Sequence, residues 1–242
     1  MIRRLAPLVL LAALILAVAC SGSEDVTSTD IVSAVPWGGP ETAHYRVLDS
    51  KDTEVGTLEL SIDNGATGEL LFHQYFDFPG KGFTNDAKVT VDKTTLLPKT
   101  SAFKIVGPQG NFECTATYDN GQFKAHRVGE DGERDDTVTI PRLAYDSWGD
   151  LFVWRTIDFR TGYDVEYTDV LSCTLAKADR IPVKLKLDEQ EQVSVPAGDF
   201  QAWHLKIDSG GSTQDAWYTT DARHTLVRYD NGESTFELTE AP

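Results

Sequence analysis

Basic residues are the scarce class in this 242-residue chain, where 22 lysines and arginines stand against 38 aspartates and glutamates, a formal net charge of −16. So acidic a surface repels phosphate backbones and anionic headgroups. That excludes nucleic acid as a partner and charge as a means of holding the protein to a membrane. Long apolar runs are also scarce. The one present, Leu5 to Ala19, has 15 residues and is interrupted only by Pro7. A helix needs ~20 residues to cross a ~30 Å hydrocarbon core, so a permanent span is the weaker reading. Motifs that carry chemistry are missing: there is no Gly-x-Ser-x-Gly, His-Glu-x-x-His, Gly-x-x-x-x-Gly-Lys or Asp-x-Asp-x-Asp-Gly. The five histidines, His44, His73, His126, His204 and His224, never pair at ligand spacing within one element. The expectation is therefore no catalytic residues, no metal and no cofactor. A hydrolase built on paired carboxylates is the least supported alternative, because 38 acids guarantee chance pairs.

Cysteine is rare too, with three in the chain, and the position of the first is informative. Arg3 and Arg4 precede the apolar run, and small residues, Ala17-Val18-Ala19, lead directly into Cys20. A charged start, a short apolar stretch and small residues before the cut make a secretory signal. The run into cysteine resembles the lipobox of bacterial lipoproteins, although Ala17 stands where that family more often has Leu. The resemblance implies that residues 1–19 are removed and that Cys20 is lipidated, becoming the first residue of an extracytoplasmic protein anchored to a bacterial membrane. Removing residues 1–19 takes away two arginines and no acid, so the mature chain carries −18. Acyl chains must then supply the anchor, at ~0.8 kcal/mol per buried methylene.

Residues 20–36 are mostly small and polar and read as a flexible tether. Residues 37–242 suit one domain. Cys114 and Cys173, the remaining thiols, lie 59 apart. Outside the cytoplasm such a pair oxidises, for a stabilisation of roughly 4 kcal/mol in the chain-entropy model; two buried free cysteines in facing strands are the alternative.

From His44 onward the punctuation is that of antiparallel β structure, with Asp63-Asn64-Gly65, Asp119-Asn120-Gly121, Ser209-Gly210-Gly211 and Asp230-Asn231-Gly232 between runs of period two. Leu58, Leu60 and Ile62 alternate with polar residues, as do Val183, Leu185 and Leu187, and Trp203, Leu205 and Ile207. In residues 69–78, Leu70, Phe72, Phe76 and Phe78 share one parity while Leu71 and Tyr75 occupy the other, which predicts apolar cover on both faces. One helix is expected over residues 144–156, capped by Asp146 or Ser147, with Trp148, Leu151, Phe152 and Trp154 on its apolar sector. Residues 130–136, carrying Glu130, Asp131, Glu133, Asp135 and Asp136, read as a solvated loop. An internal echo relates residues 92–99 to 221–228, with Asp, Leu and a basic residue at equal offsets.

A family signal lies in the second half. Arg180-Ile181-Pro182-Val183, then Val195-Pro196-Ala197-Gly198-Asp199-Phe200, then Ala216-Trp217-Tyr218 and Leu226-Val227-Arg228-Tyr229 follow one another as strand, turn, strand and strand. This order resembles the domain-of-unknown-function 3108 family of bacterial envelope proteins over most of residues 42–239. The resemblance implies a curled, incomplete β-barrel with helix on the concave side and transfers no catalytic residues.

The expected architecture is all-β and mainly antiparallel, an open or half-closed barrel with one short helix at its concave side or mouth. The expected function is a non-enzymatic binding module for an apolar ligand, a lipid or acyl chain. Leu70, Phe72, Phe76, Trp148, Phe152 and Trp154 are the candidate cavity residues. The alternative is a structural component of the cell envelope that meets a protein partner and holds no small molecule. Cavity volume discriminates the two.

Overall fold

The computed structural model describes residues 30–108, 110–174 and 177–242. Cys20, the signal segment and the first part of the tether lie outside them. Two antiparallel meanders make up the domain. The first comprises β1 (Glu41–Asp49), β2 (Glu54–Asn64), β3 (Glu69–Phe78), β4 (Phe83–Asp92), β5 (Pro98–Gly107), β6 (Gly110–Asp119), β7 (Gln122–Gly129) and β8 (Gly132–Thr139). The second comprises the two-residue β9 (Tyr145–Asp146), β10 (Asp164–Leu171), β11 (Asp179–Val195), β12 (Gly198–Ser209), β13 (Ser212–Thr219), β14 (Leu226–Asp230) and β15 (Ser234–Glu240). Pairing of β1 with β15 fuses them, among the described residues, into one fifteen-stranded sheet in which only β9 and β10 run parallel. Neighbours in sequence are otherwise neighbours in the sheet, because two-residue turns can join antiparallel strands directly. Asn120-Gly121 and Gly210-Gly211 are such turns, and all four residues take the positive φ angles that a tight hairpin requires. Asn64-Gly65 is not one: β2 and β3 are joined by a longer loop through Gly68.

The sheet curls so that one parity of each strand faces inward. Tyr45 and Val47 of β1, Leu58, Leu60 and Ile62 of β2, Val183, Leu185 and Leu187 of β11, and Leu205 and Ile207 of β12 form one continuous core. Strand β3 departs from its expected two-sided cover. Leu70, Phe72 and Phe76 are buried, but Tyr75 is 37% exposed, because β3 is a wall of the curl and its outer parity meets solvent.

The edges β8 and β9 do not pair, so the barrel is not closed by backbone bonds. Side chains close it instead. A disulfide joins Cys114 of β6 to Cys173, just after β10. Arg127, 2% exposed, bonds the Asp136 carboxylate at 2.5 Å and donates to the Ser172 carbonyl at 2.8 Å. The Tyr118 hydroxyl donates to Asp146 Oδ2 at 2.5 Å. Ala87, Ala116, Ala125, Ala144 and Ala178 cluster along this seam, and their small side chains let its two sides approach. The acidic stretch 130–136 is therefore a hairpin, β7 to β8, rather than a solvated loop, and Asp136 is drawn inside by Arg127.

Inside the curl lies the helical segment, shorter than expected: α1 (Asp150–Val153) followed by one 3-10 turn, Trp154–Thr156. Asp146 and Ser147 do not cap it. Tyr145 and Asp146 pair with β10, the Asp146 carboxylate accepts from Trp148 N and Tyr118, and Gly149 occupies the cap position without a side-chain bond. All four residues of α1 are buried.

One end of the curl is sealed. Ile31 is 3% exposed, Ser33 N and Ala34 N donate to the Thr156 carbonyl, and Trp37 meets Phe72 edge-on at 5.8 Å. Part of the segment expected as tether, from Ile31 to Ala34, is thus packed against the domain. Arg155 lies under this strap, ion-paired with Glu41, donating to the carbonyls of Arg223 and His224 and placed 5.3 Å from the centre of the Trp37 ring. The echoed segments 92–99 and 221–228 are both turns nucleated by an aspartate that accepts backbone N–H bonds, from Thr94 and Thr95 in one and from Arg223 in the other. Their left-handed residues, Leu96 and His224, stand at different offsets, so the two turns differ in geometry.

Candidate functional site

The end opposite the strap opens into a cavity of about 340 Å³ between α1 and the sheet. That is the volume of about eleven waters at ~30 Å³ each. Turns form its mouth, with Phe78 at the end of β3, Ser209 at the end of β12, Asn231 just after β14 and Ser234 at the start of β15. From the mouth inward runs an unbroken series of aromatic contacts. Phe78 lies parallel to Phe76 at 6.0 Å, Phe76 meets Phe236 at 5.5 Å, Phe236 meets Tyr229 at 5.3 Å, and Tyr229 approaches Trp154 at 6.2 Å. Opposite stands Trp148, stacked on Phe103 at 4.5 Å, with its indole N–H on the Cys173 carbonyl. Gln74 Nε2 holds the backbone here by donating to the Trp148 carbonyl at 2.6 Å.

At the inner end sit two carboxyl groups, Asp150 of α1 and Asp169 of β10, exposed by 7% and 1%. Each is pushed well above the ordinary 3.8, first by burial, and the charged neighbours acting on them are other aspartates. The two side chains are hydrogen-bonded to one another, a bond that lowers Asp150 and raises Asp169. The two carboxyls therefore titrate as one hydrogen-bonded pair, and burial beside other aspartates favours the protonated form of both. Further donors orient them. Tyr167 OH bonds Asp150 Oδ1 at 2.8 Å while accepting from Trp154 Nε1 at 2.9 Å, and Val170 N bonds Asp169 Oδ1 at 2.8 Å. Asp146, raised in the same direction by burial, faces the seam. Among the described residues no group of three or more His, Cys, Asp or Glu side chains is arranged to hold a metal ion.

Of the residues expected to line a cavity, Phe76, Trp148 and Trp154 do so. Leu70, Phe72 and Phe152 do not line this cavity: Phe72 and Phe152 stack at 4.7 Å beneath the strap, in the closely packed part of the core. The correction follows from depth, since β3 runs from the sealed end to the mouth and only its later residues reach the void. Sequence reasoning missed Asp150 and Asp169. A signal for the second existed, because Asp169 shares its parity in β10 with Val165, Tyr167 and Leu171, an acid on an apolar face.

The profile of a family described as proteins of unknown function, DUF3108, matches residues 42–239. The chain belongs to the DUF3108 family. No curated protein is similar enough to match it. Among solved structures, the DUF3108 chain is similar to a β-barrel-like protein of domain of unknown function DUF1849 from Brucella abortus, at 12% identity and a TM-score of 0.55, covering 87% of this chain and 98% of that one. That likeness extends to the fold alone and agrees with the curled, unclosed sheet. Two further similar structures are a candidate exported protein with a YmcC-like fold from Bacteroides fragilis and a candidate lipoprotein from Parabacteroides distasonis. The first has 8% identity, coverage of 88% and 100%, and a TM-score of 0.33. The second has 11% identity, coverage of 88% and 100%, and a TM-score of 0.31.

Proposed function

We propose that this DUF3108 domain is a non-enzymatic binding module, held outside the cytoplasm on a bacterial membrane through a lipidated Cys20, and that its cavity takes one apolar ligand or the acyl segment of a lipid. The observation that carries the reading is the cavity itself. Its volume of about 340 Å³ lies within the ~300–1,000 Å³ typical of small-molecule pockets, and its lining combines aromatic side chains with a few buried polar groups. The aromatic series from Phe78 to Trp154 offers a continuous apolar track, and the sealed end leaves the mouth as the way in. A mature chain of net charge −18 is repelled by anionic headgroups, so the acyl anchor and not the surface brings it to the membrane.

Native mass spectrometry of the exported full chain, followed by organic extraction, tests the reading. An apolar molecule in one-to-one amount is expected. A chain that is always empty and takes up no fluorescent fatty-acyl probe overturns it and favours an envelope scaffold with a protein partner.

A further inference from the structure

We infer that the ligand of this cavity is a protonated amine with an apolar body, its ammonium group seated against Asp150 and Asp169 and its alkyl or aromatic portion lying along the series Trp154, Tyr229, Phe236 and Phe76. The inference rests on the binding-module reading and names the ligand class.

Three observations at separate residues converge on it. First, Asp150 and Asp169 line the cavity's inner end as a hydrogen-bonded carboxyl pair, and the charged neighbours acting on them are other aspartates rather than cations. A charge removed from water without an opposite partner is costly, and an ammonium arriving through the mouth supplies both the countercharge and N–H donors. A fatty acid would bring a second carboxylate to the same point. Second, Asn85 lines the same cavity, and its Oδ1 is buried with no hydrogen-bond partner among the described residues. Buried acceptors are normally satisfied, so this oxygen also calls for a donor from the occupant. Third, Trp154, Tyr229, Phe236, Phe76 and Phe78 all line the cavity, and aromatic rings suit a cation and the apolar body behind it better than aliphatic side chains alone would. The net charge of −16 adds attraction at long range and raises the local concentration of cations over anions.

The test compares three probes of equal chain length, octylamine, octanol and octanoate, by calorimetric titration at pH 7 and physiological salt. The protein is the exported full chain carrying Cys20→Ser, so that no acyl anchor competes. Octylamine is expected to bind about tenfold or more tightly than either of the others, as a charge-assisted contact implies. That preference should vanish in Asp150→Asn/Asp169→Asn and persist in the surface variant Glu130→Gln/Asp131→Asn/Glu133→Gln. Equal binding of octanol and octylamine overturns this inference and leaves the binding module standing. No binding of any probe overturns both. An amine preference that survives Asp150→Asn/Asp169→Asn places the amine on the acidic exterior and also overturns it. Should that double variant fail to fold, Ser234→Trp at the mouth decides. Loss of octylamine binding supports the cavity, and its retention overturns the proposal.

Discussion

Cys114 and Cys173 are bonded across the one place where the sheet has no backbone pairing, their Cα atoms 5.5 Å apart and 59 residues distant in sequence. The bond links β6, third from one edge, to the chain just beyond β10, second from the other. It sits among buried alanines and beside the Arg127–Asp136 pair, so the seam is held covalently, ionically and by close packing at once. Replacing both cysteines by alanine should lower stability by roughly 4 kcal/mol in the chain-entropy model, while every strand keeps its neighbour. Urea unfolding of the wild type and the double variant measures this. Equal midpoints would mean that the side-chain contacts hold the seam without it.

Phe72 and Phe76 lie four residues apart on one face of β3 and should respond differently. Phe72→Ala opens a hole between Phe152 and Trp37, costing about 3–5 kcal/mol, and should leave ligand uptake unchanged in protein that remains folded. Phe76→Ala enlarges an existing void, so it should cost less stability and change uptake. Paired denaturation and binding curves separate the two effects. A reversed pattern would place the ligand at the strapped end.

Asp169→Asn mimics the protonated carboxyl and can still donate to Asp150. Burial raises the folded pKa of Asp169 above its unfolded value. Its favourable contribution is therefore complete below about pH 4 and is lost as pH climbs through the folded value. The variant should match the wild type near pH 4 and exceed it at pH 8. The stability difference between the two, followed by urea unfolding across that range, isolates this group from the other carboxylates. A difference that stays flat, or that favours the wild type at high pH, would contradict the upward shift of Asp169.

Arg155→Ala should unseal the closed end. It leaves Glu41 without its cation and two carbonyls, those of Arg223 and His224, without their donor. A loss of about 3 kcal/mol is expected. Arg155→Met, which keeps the stem packed near Trp37, should lose less only if packing shares the work with charge. Thermal unfolding of the two variants compares them.

Cys20→Ser should release the protein from the membrane fraction of a bacterial host, because the apolar run Leu5 to Ala19 is shorter than the ~20 residues a membrane-spanning helix needs. Among the described residues no helix is long and apolar enough to cross a bilayer. Retention of the variant in the membrane fraction would contradict lipid anchoring.

Much of the fold is legible in the sequence, since period-two alternation assigns a strand's inner face and Asn-Gly or Gly-Gly marks its reversal. Leu58, Leu60 and Ile62 are buried as their alternation requires, and the turns at Asn120-Gly121 and Gly210-Gly211 stand where expected. The helix is shorter than its pattern suggests. Trp148, Leu151 and Phe152 have helical spacing, but the chain at Tyr145 and Asp146 gains more from pairing with β10 and bonding Tyr118 than from a longer helix.

By itself the sequence determined an antiparallel β protein, its hairpins, its inward parities and its acidic surface, because these follow from local backbone preferences and from composition. Only the tertiary structure decided which inward residues meet a helix and which meet a void. Parity names a face but carries no depth along the strand, so Phe72 and Phe76 look alike in sequence and differ in the fold. It also decided that Asp150 and Asp169, 19 residues apart, meet as a buried hydrogen-bonded pair raised above the ordinary carboxyl range. Two carboxyls come together in that way only when the curl of a whole sheet wraps a helix and holds both away from water.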